Sequence, residues 1–215
     1  MENKIELYKN FLKTELKPLM KSLGYKTSGQ HFYIENDDMI KYVSIEKSSW
    51  NMADNFSFWF VFSIFDKTAH RNLQEFAKIS KIPHYTYFNI IRSTVTALKK
   101  GKMDTYYLNR TNGIVEFSNR IMDDLNALIL PFIENIKTKK DLLELYKMAK
   151  KKGGYVSAGI FMDLAIGFLE IQIGDKQKGI NLINNWIIEE RKRGYWTEMA
   201  NSLELKMKKT GYNIA

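Results

Sequence analysis

Apolar residues recur near the N-terminus at steps of three and four: Ile5, Tyr8, Phe11, Leu12, Leu16, Leu19 and Leu23. That spacing lines one side of a helix. Lys9, Lys13, Lys17 and Lys21 form a matching polar row. Pro18 falls inside the pattern, where its ring and missing N–H are expected to kink or break the helix. Gly24 follows Leu23 and supplies the residue a left-handed cap favours. The period then drops to two. Residues 31–36 read as a short strand and Asn36-Asp37-Asp38 as a turn. Residues 39–49 alternate, with Met39, Val43 and Ile45 set apart from Ser44, Glu46 and Ser48. Residues 56–65 give the strongest strand signal. Phe56, Phe58, Phe60, Phe62 and Ile64 share one face, and Trp59, Val61 and Phe65 the other. Apolar residues on both faces predict a central strand covered on both sides. Pro83 opens another extended stretch over residues 85–95, and residues 105–108 read as the last strand. Over residues 90–98 the apolar run leaves helix and strand both open.

From Ile114 the helical period returns. Ile114, Phe117, Ile121, Leu125, Leu128, Ile129, Phe132 and Ile136 make a long stripe interrupted by Pro131. Thr138 with Asp141 resembles a capping pair for a helix running to Gly153-Gly154. Ile160, Phe161, Leu164, Phe168 and Ile171 define the next helix, stopped at Gly174. Asp175 caps a third, carrying Ile180, Ile183, Trp186 and Ile187 and ending near Gly194. Met199, Leu203 and Met207 mark the last. Short connections predict antiparallel neighbours. The fold class is therefore α+β. An N-terminal helix packs on an antiparallel β-sheet of four or five strands, followed by a C-terminal antiparallel helical bundle. Residues 1–136 form the α+β domain, and residues 137–215 form helical hairpins packed on it.

Composition narrows the class. The 215 residues are 45% hydrophobic and 27% charged, which excludes disorder and predicts a real core. Cysteine is absent, so disulfides, thiolate metal sites and a cysteine nucleophile are excluded. A reducing, cytoplasmic location fits. The N-terminus carries Glu2 and Glu6 and lacks the apolar core of a secretory signal. No stretch approaches the roughly 20 apolar residues of a membrane span. The net charge is +9, and most of it sits in one segment: residues 67–113 carry nine basic and two acidic side chains. Such a segment attracts phosphates, anionic lipid heads or an acidic protein face.

The stretch LKPLMKSLGYKTSGQHFYIENDDMIKYVSIEKSSW resembles the bacterial family called domain of unknown function 4304. The resemblance is carried by Leu19, Leu23, Gly24, Tyr25, Lys26, Phe32, Tyr33, Val43, Ile45, Lys47, Ser48 and Ser49. The strand at 56–64 and the Leu130-Pro131-Phe132 triplet are also similar, and the resemblance covers roughly residues 5–136. The chain departs from the family's pattern where Ser93-Thr94-Val95 follow Arg92 in place of a glycine. The resemblance implies the fold and brings no activity with it.

Few residues offer chemistry. His31, His70 and His84 form no close pair, and none sits at a metal-ligand spacing. Asp37-Asp38, Asp123-Asp124 and Glu189-Glu190 are adjacent acids that point in different directions, unlike a carboxylate pair facing across a cleft. Lys47-Ser48-Ser49 offers a lysine beside serines, or a strand end whose hydroxyls satisfy backbone groups. No metal or other cofactor is expected. The remaining cluster is basic and aromatic, running from Lys81 to Arg110. Within it Lys81, Arg92, Lys99, Lys100, Lys102 and Arg110 are the candidate partner-binding residues. The leading reading is a non-enzymatic protein-binding or accessory module, of immunity type among others, with an acidic protein partner. Immunity proteins that block nucleases would themselves be acidic, which this chain is not. One alternative is an enzyme with a scattered polar site using Glu46, Lys47 or His84 in a cleft. Another is a weak single-stranded nucleic-acid binder, in which cations along a groove combine with tyrosine stacking platforms.

Overall fold

Asn3 starts the first helix: its side-chain oxygen accepts from the Ile5 N–H at 3.0 Å, meeting a donor that a helix N-terminus leaves unpaired. The computed structural model describes residues 3–36, 38–69, 91–94, 105–108, 113–152, 157–158 and 161–211. In it the helix passes through Pro18. Helix α1 (Lys4–Phe11) widens into a π turn (Leu12–Leu16) and continues as α2 (Lys17–Ser22). The Lys17 N–H donates to the Leu12 carbonyl, five residues back. A wider turn gives room to the proline ring and absorbs the loss of its donor. Among the described residues this device occurs twice. Helix α3 (Ile114–Asp124) widens at Leu125–Ile129, where the Leu130 N–H meets the Leu125 carbonyl, and resumes around Pro131 as α4 (Leu130–Glu134). Both prolines therefore widen their helices in place of breaking them. Leu16, Met20, Ile129 and Ile133 stay buried across the two transitions. Leu23, expected in the apolar stripe, is 38% exposed. It lies past the end of α2, just before Gly24 turns the chain at φ +83°.

The sheet is antiparallel throughout. Its strands are β1 (Lys26–Ser28), β2 (His31–Glu35), β3 (Met39–Lys47), β4 (Phe56–Asp66), β5 (Ile91–Thr94), β6 (Tyr106–Leu108) and β7 (Ser157–Ala158). They run in the order β1-β2-β3-β4-β5-β7, and β6 also pairs with β4. Three of them are only two or three residues long. One of these, β7, lies beyond residues 105–108, where the last strand was expected, and pairs with β5. Asn36 makes the β2–β3 turn, its Oδ1 accepting from the Asp38 and Met39 N–H groups at 3.0 and 2.7 Å.

Strand β4 organises the core. Phe56, Phe58, Phe60 and Phe62 pack with Tyr8, Phe11 and Leu16 from the N-terminal helix and with Phe117 and Ile121 from α3. Tyr8 stacks on Phe56 at 4.3 Å between ring centroids, and Phe62 meets Phe132 edge-on at 5.4 Å. Further along the same face, Ile64 and Asp66 reach the C-terminal helices. These are α5 (Lys139–Lys152), α6 (Met162–Ile173), α7 (Lys176–Arg193) and α8 (Thr197–Lys209).

The junction is polar. The buried Asp66 carboxylate accepts from the Ala69 N–H at 2.6 Å and from Gln172 Nε2 at 3.2 Å. Lys139 Nζ stands 3.6 Å from Asp66 and 3.0 Å from Asp38, and it donates to Gln172 Oε1 at 2.8 Å. The Tyr146 hydroxyl donates to the Ile64 carbonyl at 3.0 Å.

Caps fix the helix starts. The Asp141 N–H donates to Thr138 Oγ1 at 3.1 Å, and Asp141 Oδ2 accepts from the Thr138 N–H at 2.9 Å, a reciprocal capping pair. These bonds hold the Asp141 carboxyl below its ordinary pKa. Asp175 caps α7 through the Lys178 N–H at 3.0 Å, and Gly194 ends that helix at φ +80°. Helices α6 and α7 meet at a pair of glycines, Gly167 and Gly179, that lets their backbones come together. Among the described residues, no helix is long and apolar enough to cross a membrane.

Candidate interaction surface

Of the six basic residues singled out in the sequence, Lys81, Lys99, Lys100, Lys102 and Arg110 lie outside the described residues. So do His70 and His84. Arg92 is placed by its backbone, on β5 opposite Ser63 of β4 and Ser157 of β7. Glu46 and Lys47 do not converge. Neighbouring strand residues face opposite ways. Glu46 accepts from Trp59 Nε1 at 3.2 Å on one face, while Lys47 Nζ sits 5.5 Å from the centroid of the Tyr8 ring on the other. Ser48 Oγ accepts from the Trp50 N–H at 3.2 Å, so this hydroxyl satisfies the strand end. His31 is half-buried, and its Nδ1 lies 2.6 Å from the Tyr42 hydroxyl.

The feature that stands out is the β3–β4 connection, residues 48–55. It is pinned along its length. The Ser48 N–H donates to the Ser57 carbonyl at 3.0 Å. Asn51 acts as a second clamp: its Nδ2 donates to that carbonyl at 2.9 Å, and its Oδ1 accepts from the Ser57 N–H at 2.7 Å. Met52 and Asn55 exchange backbone bonds at 2.8 and 3.2 Å, closing the tip. The Lys4 N–H, in the first turn of α1, donates to the Ala53 carbonyl at 2.8 Å.

On this ordered loop stand two large apolar side chains turned to solvent. Trp50 is 81% exposed and Met52 is 64% exposed. A lone exposed apolar residue is ordinary on a protein surface. A tryptophan held out by a loop whose polar groups are spent on its own bonding is different: binding it costs little chain entropy. Charges of both signs surround it, with Asp54 in the loop itself and Glu46 and Lys47 at its base. Lys47 lies at the hairpin base, and burial lowers its pKa, with the Lys9 ammonium adding to the effect. Lys9 pairs with Glu6 at 2.7 Å. No carboxylate among the described residues pairs with Lys47. Sequence periodicity did not single out Trp50 or Met52. The signal available was an isolated Trp and Met among Ser, Asn, Ala and Asp, where a turn has no use for them.

Two depressions are lined by other elements. One of about 740 Å³ lies along α3 and is lined by Val115, Glu116, Asn119, Arg120, Asp123 and Asp124. Two of its lining residues hold the buried Tyr106: its hydroxyl donates to Asp124 at 2.8 Å, and Arg120 lies over its ring. The other, about 160 Å³, is walled by Phe168, Ile171, Leu203 and Met207.

The family described as Domain of unknown function (DUF4304) matches residues 16–135, more than half of the chain, and the chain belongs to that family. The matched span begins in the first π turn, takes in β1 to β6 and the hairpin tip, and ends just past α4. No curated protein and no solved structure matches the chain.

Proposed function

We propose that the chain is a non-enzymatic protein-binding module working inside the cell, and that it docks an acidic partner through the β3–β4 hairpin tip. The observation that carries this reading is Trp50, exposed on a loop with little conformational freedom left to lose. Interface energy concentrates in a few anchors, among which tryptophan, tyrosine and arginine are enriched. Burying a side chain of this size in a partner's pocket contributes about 2–4 kcal/mol. Charge chooses the partner. Lys47 is partly desolvated beside another cation, so an incoming carboxylate relieves it. The basic positions Lys81, Arg92, Lys99, Lys100, Lys102 and Arg110 belong to the proposal as a second zone of attraction for the same partner. The division of the chain at residue 136 is likewise proposed, with the docking loop in the first part.

The test is a random-peptide display selection against the whole chain and against Trp50→Ala. The reading expects enrichment of acidic peptides carrying an apolar anchor, and their loss on the variant. Enriched peptides that bind both proteins equally, or that are basic, would contradict it.

A further inference from the structure

The smaller of the two depressions is lined by α6, α8 and the chain just past β4. Helix period builds its walls. Phe168, Ile171 and Gln172 stand at i, i+3 and i+4 on α6, and Leu203, Lys206 and Met207 at i, i+3 and i+4 on α8. Each set forms one stripe of its helix. Thr210, one turn on from Lys206, and Thr68 complete the lining. Phe168, Leu203 and Met207 are buried in the core of the C-terminal helices, and Ile171 packs against that core. The walls are therefore fixed before any ligand arrives.

Size and lining together point to one kind of occupant. The volume is about 160 Å³, and an apolar cavity of about 150 Å³ takes up benzene. A single six-membered ring matches it. Phe168 and Met207 favour an aromatic ring, because phenyl edges and thioether sulfurs both make favourable contacts with aromatic groups. The polar groups at the rim divide into two sets. Gln172 is spent on the protein, accepting from Lys139 and donating to Asp66. Thr210 Oγ1 likewise donates to the Met207 and Lys206 carbonyls, at 2.8 and 3.1 Å. The Thr68 hydroxyl is exposed and bonds to no described residue. Lys206 brings a positive charge, and none of the described lining residues carries a carboxylate. An ammonium has three N–H donors, so it can meet a ligand oxygen and keep its contact within the chain.

We infer that this pocket binds a monocyclic aromatic carboxylate. The ring lies among Phe168, Leu203 and Met207, and the carboxylate accepts from the Thr68 hydroxyl and the Lys206 ammonium at the rim. All of the described lining except Thr68 lies beyond residues 16–135. The site therefore belongs to the C-terminal helices, and it shares no residue with the hairpin tip.

The test titrates the full chain with benzoate. Acetate at equal ionic strength is the acid without a ring, and benzyl alcohol is the ring without an acid. The titration follows the melting temperature and the Met207 methyl resonance, which an aromatic ring beside the thioether displaces. For a millimolar site, about 10 mM benzoate raises the melting temperature by about 4 °C over acetate, and the Met207 signal moves with it. Lys206→Gln weakens benzoate about fivefold and leaves benzyl alcohol binding as in wild type. Thr68 is exposed, so Thr68→Phe folds; its own ring takes the ligand's place, and it loses the response to both compounds. No benzoate effect on wild type beyond that of acetate overturns the inference. So does a rise in melting temperature with an unmoved Met207 signal, or a benzoate response that persists in Thr68→Phe. Equal benzoate affinity in wild type and Lys206→Gln overturns the assignment of a carboxylate.

Discussion

Replacing Gly179 with alanine reverses a familiar expectation. Alanine is the best helix former, and Gly→Ala in an exposed helix interior stabilises by about 1 kcal/mol. Gly179 is buried where α7 crosses α6. A Cβ there would stand 2.5 Å from the Gly167 carbonyl oxygen, 2.8 Å from Ile171 Cγ1 and 2.9 Å from the Ile171 backbone nitrogen. Two of these three atoms are backbone, so no side-chain rotation relieves the clash. The helices must separate by about 1 Å to restore ordinary contact. A gap of that size forfeits about a quarter to a half of the dispersion energy of each contact it opens. The affected contacts include those of Ile180, Ile183, Leu164 and Phe168. Overpacking of this kind costs about 1–3 kcal/mol, after part of it is offset by alanine's helix propensity. For a chain of this size the melting temperature falls by about 2–10 °C. Urea unfolding followed by circular dichroism measures the effect. Asn185→Ala on the exposed side of the same helix is the control and is expected to be neutral or slightly stabilising. A Gly179→Ala protein as stable as wild type would show that the close crossing does not exist.

Two other outcomes are expected. The buried Glu170 carboxyl has a pKa below its ordinary 4.5: burial opposes the ionised form, but the Asp175 N–H and the Lys147 and Lys178 ammonium groups outweigh it. Stability from this group is therefore present above pH about 4.5 and is lost as the pH falls through the depressed value. Glu170→Gln should cost about 1–2 kcal/mol at neutral pH and flatten the acid limb of the stability profile, which a series of urea titrations between pH 3 and 7 would read. The combined reversal of Lys99, Lys100 and Lys102 to glutamate should slow association with an acidic peptide at low salt while leaving the melting temperature unchanged. An unaltered association rate would remove the basic segment from the account.

The parts of this fold legible in the sequence are those set by local period and local chemistry. The alternation of Phe56, Phe58, Phe60 and Phe62 marked both the central strand and its core face. Thr138 with Asp141, Asp175, Gly24 and Gly194 act as caps where their spacing placed them. The prolines were legible as disturbances, but a π turn ahead of Pro18 and Pro131 depends on the packing of both flanking turns, which keeps Leu16 and Ile129 in the core. Strand β7 was not legible, because two residues carry no period and pairing with β5 alone defines it. Glu46 and Lys47 were each candidates for a polar cleft, and the pleat sends them to opposite faces, Glu46 to Trp59 and Lys47 to Tyr8. The pocket on the C-terminal helices was also hidden. Thr68, Phe168 and Met207 come from three parts of the chain, and only tertiary packing brings them together. Trp50 escaped notice because periodicity looks for buried residues, and its importance lies in being exposed.

The central claim is that the hairpin tip is a docking anchor. Its most direct measurement is the dissociation constant of a selected acidic peptide for wild type, Trp50→Ala and Lys47→Ala, by calorimetry at low and high salt. The account predicts that Trp50→Ala binds at least about 30-fold more weakly with an unchanged melting temperature. It also predicts that Lys47→Ala loses a smaller factor that vanishes at high salt. Equal affinity for wild type and Trp50→Ala would contradict it.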